Sequence, residues 1–214
     1  MSTSVLSHAG EAPPTAAAEG GVRAEAIEAA IDLYRRHAIH EVSVDDVAAA
    51  AGLDPAVVQE HFPSVDELLP TTIGVWHGRR NAALASVATD HGAVAYLRAV
   101  VIANVAEPAL MRLMMGAASI AATPGHPIAP VLQHQWVQFH AFVQRALVND
   151  VVIGREPSTM EPVWGAEQLI AVYEGLQVQS LLRPHMDLLT SYDRAVTRLR
   201  EGWASEYTPP VWEL

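Results

Sequence analysis

Three methionines, Met111, Met114 and Met115, fall within little more than one helical turn, in a segment whose only charge after Glu107 is Arg112. Thioether side chains at that spacing suit adaptable contact with an organic molecule, although a helix that is apolar all round is as readily a buried core helix. Phe139, His140, Tyr173 and Gln177, with His134 and Trp136 beside them, are the aromatic and polar types that orient a ligand in an apolar pocket. Core packing serves each of them equally well at this stage. The chain has ten histidines but no cysteine, which excludes a thiolate nucleophile, a disulfide framework and Cys-ligated zinc or iron–sulfur centres. His37 and His40 lie three apart and His134 and His140 six apart, without clustered carboxylates or a HExxH spacing. Neither a metal site nor a cofactor is expected. Ser119 and Ser180 have no His/Asp pattern nearby, and no phosphate-cradling glycine loop or paired-carboxylate motif stands out, so the chain is not expected to be an enzyme.

These residues must be positioned by helices. Ile27, Ala30, Ile31 and Tyr34 recur at the spacing of an amphipathic helix from about Arg23 to His37. Ser43, with Asp46 three residues on, caps a second, which carries Val44, Val47, Ala48 and Ala51 and ends at Gly52. Asp54 and Pro55 start a third that stops at Pro63. Ser64 with Glu67 opens a fourth, bearing Leu68, Leu69, Ile73 and Trp76 to about Thr89. Further helices are expected at about 92–105, 108–122, 129–148, 164–182 and 188–205, with VVI (151–153) too short to argue a strand. The fold class is all-α: a disordered lead (1–20), a head of short helices (21–69), a larger bundle (70–206) and a tail (207–214). The uncharged stretch from Leu113 to Gln144 is broken by two glycines, three prolines and three histidines, so no membrane span is expected there. The lead lacks the basic start and apolar core of a signal peptide, and a cytoplasmic location follows as the expectation.

The helix ending at Ala51, the turn at Gly52 and the helix from Pro55 to Phe62 make a helix-turn-helix pattern. The string EVSVDDVAAAAGLDPAVVQEHFPSVDELL, preceded by IEAAIDLYRRHAIH, resembles the DNA-binding head of the tetracycline-repressor (TetR) family of bacterial one-component regulators. ALMRLMMGAASIAATPGHP and LIAVYEGLQVQSLLRP are similar to regulatory segments of that family. The resemblance implies a dimeric all-α protein with DNA as partner and a small organic ligand in the C-terminal bundle. On the DNA side it implies roles for Arg23, Ser43, Asp54, Ala56, Val57, Gln59, Glu60, His61, Ser64 and Val65.

Several of these positions depart from the family pattern. Gln59 stands where a phosphate-binding tyrosine is usual, Val57 where a polar residue is common, Glu60 where a basic or polar one is, and Val65 where a lysine usually anchors the backbone. From Asp54 to Glu67 there is no basic side chain other than His61, and residues 21–70 hold ten acids against Arg23, Arg35 and Arg36. DNA affinity rests largely on cations that neutralise phosphates. Two readings follow: a repressor with weak or assisted DNA binding through Arg23, Arg35, Arg36, helix N-termini and Gln59, or a ligand-binding co-regulator whose head no longer reads DNA. An enzyme on this fold is a remote third. A homodimer is expected through the helix at 131–148, with the stripe Leu132, Trp136, Phe139, Val143 and Leu147, and the helix at 164–182.

Overall fold

The structure, a computed structural model, describes residues 16–208. Among them are nine α-helices and one 3-10 turn, with no strand, in keeping with the all-α expectation. Residues 1–15 of the expected lead and 209–214 of the expected tail lie outside the described residues. Ala16–Gly20, assigned from sequence to the lead, instead form the opening of α1 (Ala16–Tyr34). Three alanines and a glutamate are among the strongest helix formers, and they extend the helix upstream of its apolar stripe.

Local capping chemistry sets the head. After a 3-10 turn at Ile39–Glu41, the Ser43 hydroxyl accepts from the Asp46 N–H at 3.1 Å, while the Asp46 carboxylate accepts from the Ser43 N–H at 2.9 Å. That reciprocal pair opens α2 (Val44–Ala51). Gly52 follows with φ +67, a left-handed conformation that suits glycine. The Asp54 carboxylate then accepts from the Ala56 N–H at 2.9 Å, starting α3 (Pro55–His61). Ser64 departs from expectation: its side chain makes no cap, and α4 (Val65–His91) is opened by the Ser64 carbonyl alone, which accepts from the Glu67 and Leu68 N–H groups.

The remaining helices are α5 (Ala93–Ala106), α6 (Pro108–Ala121), α7 (Ala129–Val152), α8 (Pro162–Leu182) and α9 (Leu188–Trp203). Two cores hold them. The first joins Ile27, Ile31, Tyr34, Val47, Val58, Phe62, Leu68 and Ile73 of the head and α4 to Leu110, Leu113, Ala117 and Ala121 of α6 and Leu132 of α7. In the second, Tyr96, Leu97 and Val100 of α5 pack with Val143, Leu147, Leu169, Tyr173, Tyr192 and Val196 of α7, α8 and α9. Gly116 on α6 lets the head approach: a Cβ there would stand 2.6 Å from Ile39 Cδ1.

The α4–α5 corner turns at Gly92, φ +91. Asp150, fully buried, accepts from the Ala93 N–H at 2.8 Å and pairs with Arg155. A Cβ on Gly92 would lie 2.6 Å from one oxygen of that carboxylate and 2.8 Å from the other. Gly92→Ala combines an unfavourable φ with this clash, so a loss of about 2 kcal/mol in stability is expected, read as a lowered midpoint in urea with unchanged slope.

Candidate functional site

On the head, α3 presents Ala56, Val57, Gln59 and Glu60 to solvent, with Asp54 and Ser64 exposed at either end and His61 and Val65 half-buried. Several polar groups there already have partners. The Ser43 hydroxyl and the Asp54 carboxylate are caps, and the Gln59 amide donates to Asp45 Oδ1 at 2.9 Å. Arg23, exposed, sits with its guanidinium carbon 4.5 Å from the Phe62 ring centroid, a cation–π contact that fixes it beside the end of α3.

Arg35, expected from sequence to help hold DNA, is engaged within the fold instead. Its guanidinium pairs with Asp32 at 2.6 Å and Glu107 at 3.0 Å and lies over the Trp76 ring at 5.3 Å. Opposite charge within bonding reach holds it at the junction of head and bundle, where the Trp76 indole N–H also donates to Glu107, at 3.2 Å. Arg112 donates to the Arg35 carbonyl at 3.2 Å, closing the same junction. Helix α3 itself carries no arginine, and Arg23 and Arg36 are the head arginines outside any ion pair among the described residues.

Within the bundle, Met111, Met114, Met115, Phe139, Tyr173 and Gln177 come together around one cavity between α4, α6, α7 and α8. His140, placed in that set from sequence, does not line it. Its neighbour Phe139 takes the inward direction on α7 and meets Tyr173 with ring centroids 5.9 Å apart. Sequence reasoning missed His77 and Arg80, which α4 delivers to the cavity, as well as Gln135 and Glu174. The signal was present: Ile73, Trp76, His77 and Arg80 share one helix face, so extending the apolar stripe of α4 by one turn brings a cation onto the core side.

The cavity, partly open, has a volume of about 40 Å³, room for roughly two or three waters. It shares His77, Gln135 and Phe139 with an open, mostly apolar groove of about 460 Å³ between α4 and α7, where Gly74 and Gly78 leave α4 bare. His77 and Phe139 meet edge to face, ring centroids 6.2 Å apart, between the two spaces. At the inner end, Arg80 donates to Asn104 Oδ1, and Asn104 Nδ2 donates to Gln177 Oε1 at 2.5 Å and to Tyr173 Oη at 3.2 Å. Arg80 Nε and Gln177 Nε2 are buried without an acceptor.

The outer surface of α7 and α8 carries large apolar side chains among polar ones. Val137, Val148 and Val152 on α7 and Trp164, Val178 and Leu182 on α8 are exposed, Val152 and Leu182 to 78% and 77%. The stripe Leu132, Val143 and Leu147, assigned from sequence to a dimer interface, is fully buried inside the protomer, with Trp136 and Phe139 half-buried beside it. The correction has a simple cause: α7 has two apolar faces, and the one with the bulkier side chains fills its own core. Among the described residues no single helix is long and apolar enough to cross a membrane.

Residues 26–71 match the family model of the bacterial regulatory proteins, tetR family. The fold is similar to that of a TetR transcription regulator from Haloarcula marismortui, with a TM-score of 0.73 and 14% identity over 86% of this chain and 98% of that one. It is also similar to SmeT, the repressor of the Stenotrophomonas maltophilia multidrug efflux pump SmeDEF, with a TM-score of 0.68 and 20% identity over 84% of this chain and 89% of that one. A complex of SmeT with triclosan superposes with a TM-score of 0.66 and 19% identity, covering 90% of this chain and all of that one. No curated protein matches the chain in sequence.

Burial, reinforced by the positive charge of Arg80, holds the His77 pKa down at about 4. At neutral pH the imidazole is uncharged, and Arg80 is the cation of the cavity. A histidine whose pKa lies lower in the folded state than in the unfolded one contributes stability that is complete above about 6.5 and is lost as pH falls towards 4. Urea titrations at pH 7 and pH 4.5 should show His77→Leu removing part of the acid sensitivity, up to about 2 kcal/mol of it.

Proposed function

We propose that this chain belongs to the TetR family and is a one-component transcriptional regulator, a repressor whose hold on DNA is controlled by a small organic ligand in the C-terminal bundle. One observation carries the reading. Helix α6 gives Leu110, Leu113, Ala117 and Ala121 to the core of the head and Met111, Met114 and Met115 to the cavity wall, so cavity and reading helix share one packed body. A ligand that repositions the methionines acts on the same helix that packs against α1 and α4, and packed interiors transmit such shifts instead of absorbing them. SmeT, similar in fold, is a repressor and also occurs in complex with triclosan, which supports both halves of the proposal by analogy.

The exposed apolar face of α7 and α8 favours a homodimer through these helices, since surfaces of this kind mark an interface. Light scattering at micromolar concentration should give twice the chain mass, and the pair Val137→Arg with Val178→Arg should give the monomer.

A second reading, a co-regulator that does not read DNA, is favoured by the charge of the head. The acid excess of residues 21–70 opposes the approach of a polyanion, Gln59 is held by Asp45, and Arg35 is engaged by Glu107. Binding of the protein to its own promoter region is therefore expected to be weak and lost at about 150 mM salt. Glu60→Arg with Val65→Lys should raise non-specific affinity about tenfold or more and steepen the salt dependence by roughly one to two contacts. Selection of bound genomic fragments with the wild-type protein decides between the readings. Tight, sequence-specific enrichment at physiological salt would refute the charge argument, and no enrichment at any salt would favour the co-regulator.

A further inference from the structure

We infer that the ligand is an organic carboxylic acid, its carboxylate held by Arg80 and Gln177 and its apolar body lying against the methionines and out along the α4–α7 groove. The inference rests on the ligand-controlled reading above and names the chemical class which that site takes.

The argument starts from Arg80, which can only donate hydrogen bonds. Its bond to Asn104 therefore fixes the Asn104 amide with oxygen towards Arg80 and nitrogen towards Gln177 and Tyr173. That nitrogen in turn fixes Gln177 with Oε1 towards Asn104, which leaves Gln177 Nε2 pointing away from it. Gln177 is fully buried and lines the cavity. The orientation of three side chains thus follows from one guanidinium, and the chain ends with two buried donors, Arg80 Nε and Gln177 Nε2, that have no acceptor. Arg80 has no ion-pair partner among the described residues. A buried donor without a partner is costly, and a buried cation without one more so, so the group that belongs here is an acceptor and an anion.

A carboxylate matches best. It offers two acceptor oxygens to two donors and one negative charge to one cation. A phosphate dianion would bring a second charge with no second cation, because His77 is neutral, and Glu174, which lines the same cavity with Oε1 accepting from the Trp136 indole at 2.9 Å, would repel it more strongly than it repels a monoanion. The rest of the molecule must be apolar, since Met111, Met114, Met115 and Phe139 form the wall beside these donors. It must also extend beyond this cavity, whose 40 Å³ holds only the head group. The groove between α4 and α7 lies directly beyond the His77–Phe139 contact, and its 460 Å³ falls within the range of organic-ligand sites.

The test uses the full-length protein and two probe pairs of matched shape, decanoate with decanamide and naphthylacetate with naphthylacetamide, titrated calorimetrically at pH 7.5. At least one acid should bind, about tenfold or more tighter than its amide. Arg80→Leu should erase that preference, and Gln177→Glu, which sets a negative charge against the carboxylate, should abolish acid binding altogether. If either variant fails to fold, the wild-type comparison of acid with amide still decides. An amide that binds as tightly as its acid overturns the carboxylate assignment and leaves ligand control standing. The absence of binding by both acids overturns the assignment as well. Acid bound with full preference but without effect on promoter binding upholds the assignment and refutes ligand control.

Discussion

Helix α4 runs unbroken for 27 residues, about 40 Å at the α-helical rise, and serves both cores of the molecule. Leu68, Leu69 and Ile73 enter the first core near its start, and Ala88 enters the second near its end. Between them Trp76 reaches the junction at Glu107 and Arg80 reaches the cavity. Backbone hydrogen bonds at every turn keep the spacing of these side chains fixed, so Trp76 and Arg80 stay one turn apart whatever else moves. Asn104 and Glu107 repeat that spacing at the end of α5, and the two helices are laced by Arg80–Asn104 at one level and Trp76–Glu107 at the next.

Electrostatics divide along the same helix. At the junction the Glu107 carboxylate satisfies two donors, from Arg35 and Trp76, and Arg35 has carboxylate partners in both Asp32 and Glu107. One turn further into the bundle, the arginine has only neutral partners. Two arginines at different depths thus do different work: exposed Arg35 fastens α1 to the bundle, whereas the more deeply placed Arg80 stands without an ion pair beside the methionine wall. On the head the balance is reversed, and acids around α3 outnumber the cations that remain exposed.

Much of this was legible in the sequence, and the rest was withheld for physical reasons. Ser43, Gly52, Asp54 and Pro55 announced the head because capping and left-handed turns are local chemistry, decided within four residues. Ser64 carried the same signal and did not cap, since the backbone there satisfies the helix start by itself. The methionines of α6 were readable as a group by composition and spacing. Their polar complement was legible only in part: Tyr173 and Gln177 stood out and the α4 stripe could be extended to Arg80, but the bond from Arg80 to Asn104 is made only through tertiary packing. His140 and Phe139 are sequence neighbours, and nothing in periodicity distinguished which would turn inward. Helix α7 was ambiguous for a related reason: apolar residues on two faces reveal two contacts, but not which is made within the chain and which lies open.

The first core also bears on how far the head can be treated as a part. Its apolar side chains are closed off by Leu110, Leu113, Ala117 and Ala121 of α6 and by Leu132 of α7, a long way along the chain. Gly116 meets Ile39 across the same seam. A chimera that joined residues 21–69 to another bundle would expose that seam unless the foreign helix reproduced its small-residue surface. Head and α6 therefore form the unit that would have to be exchanged together, and the modular boundary of this protein does not follow the order of its chain.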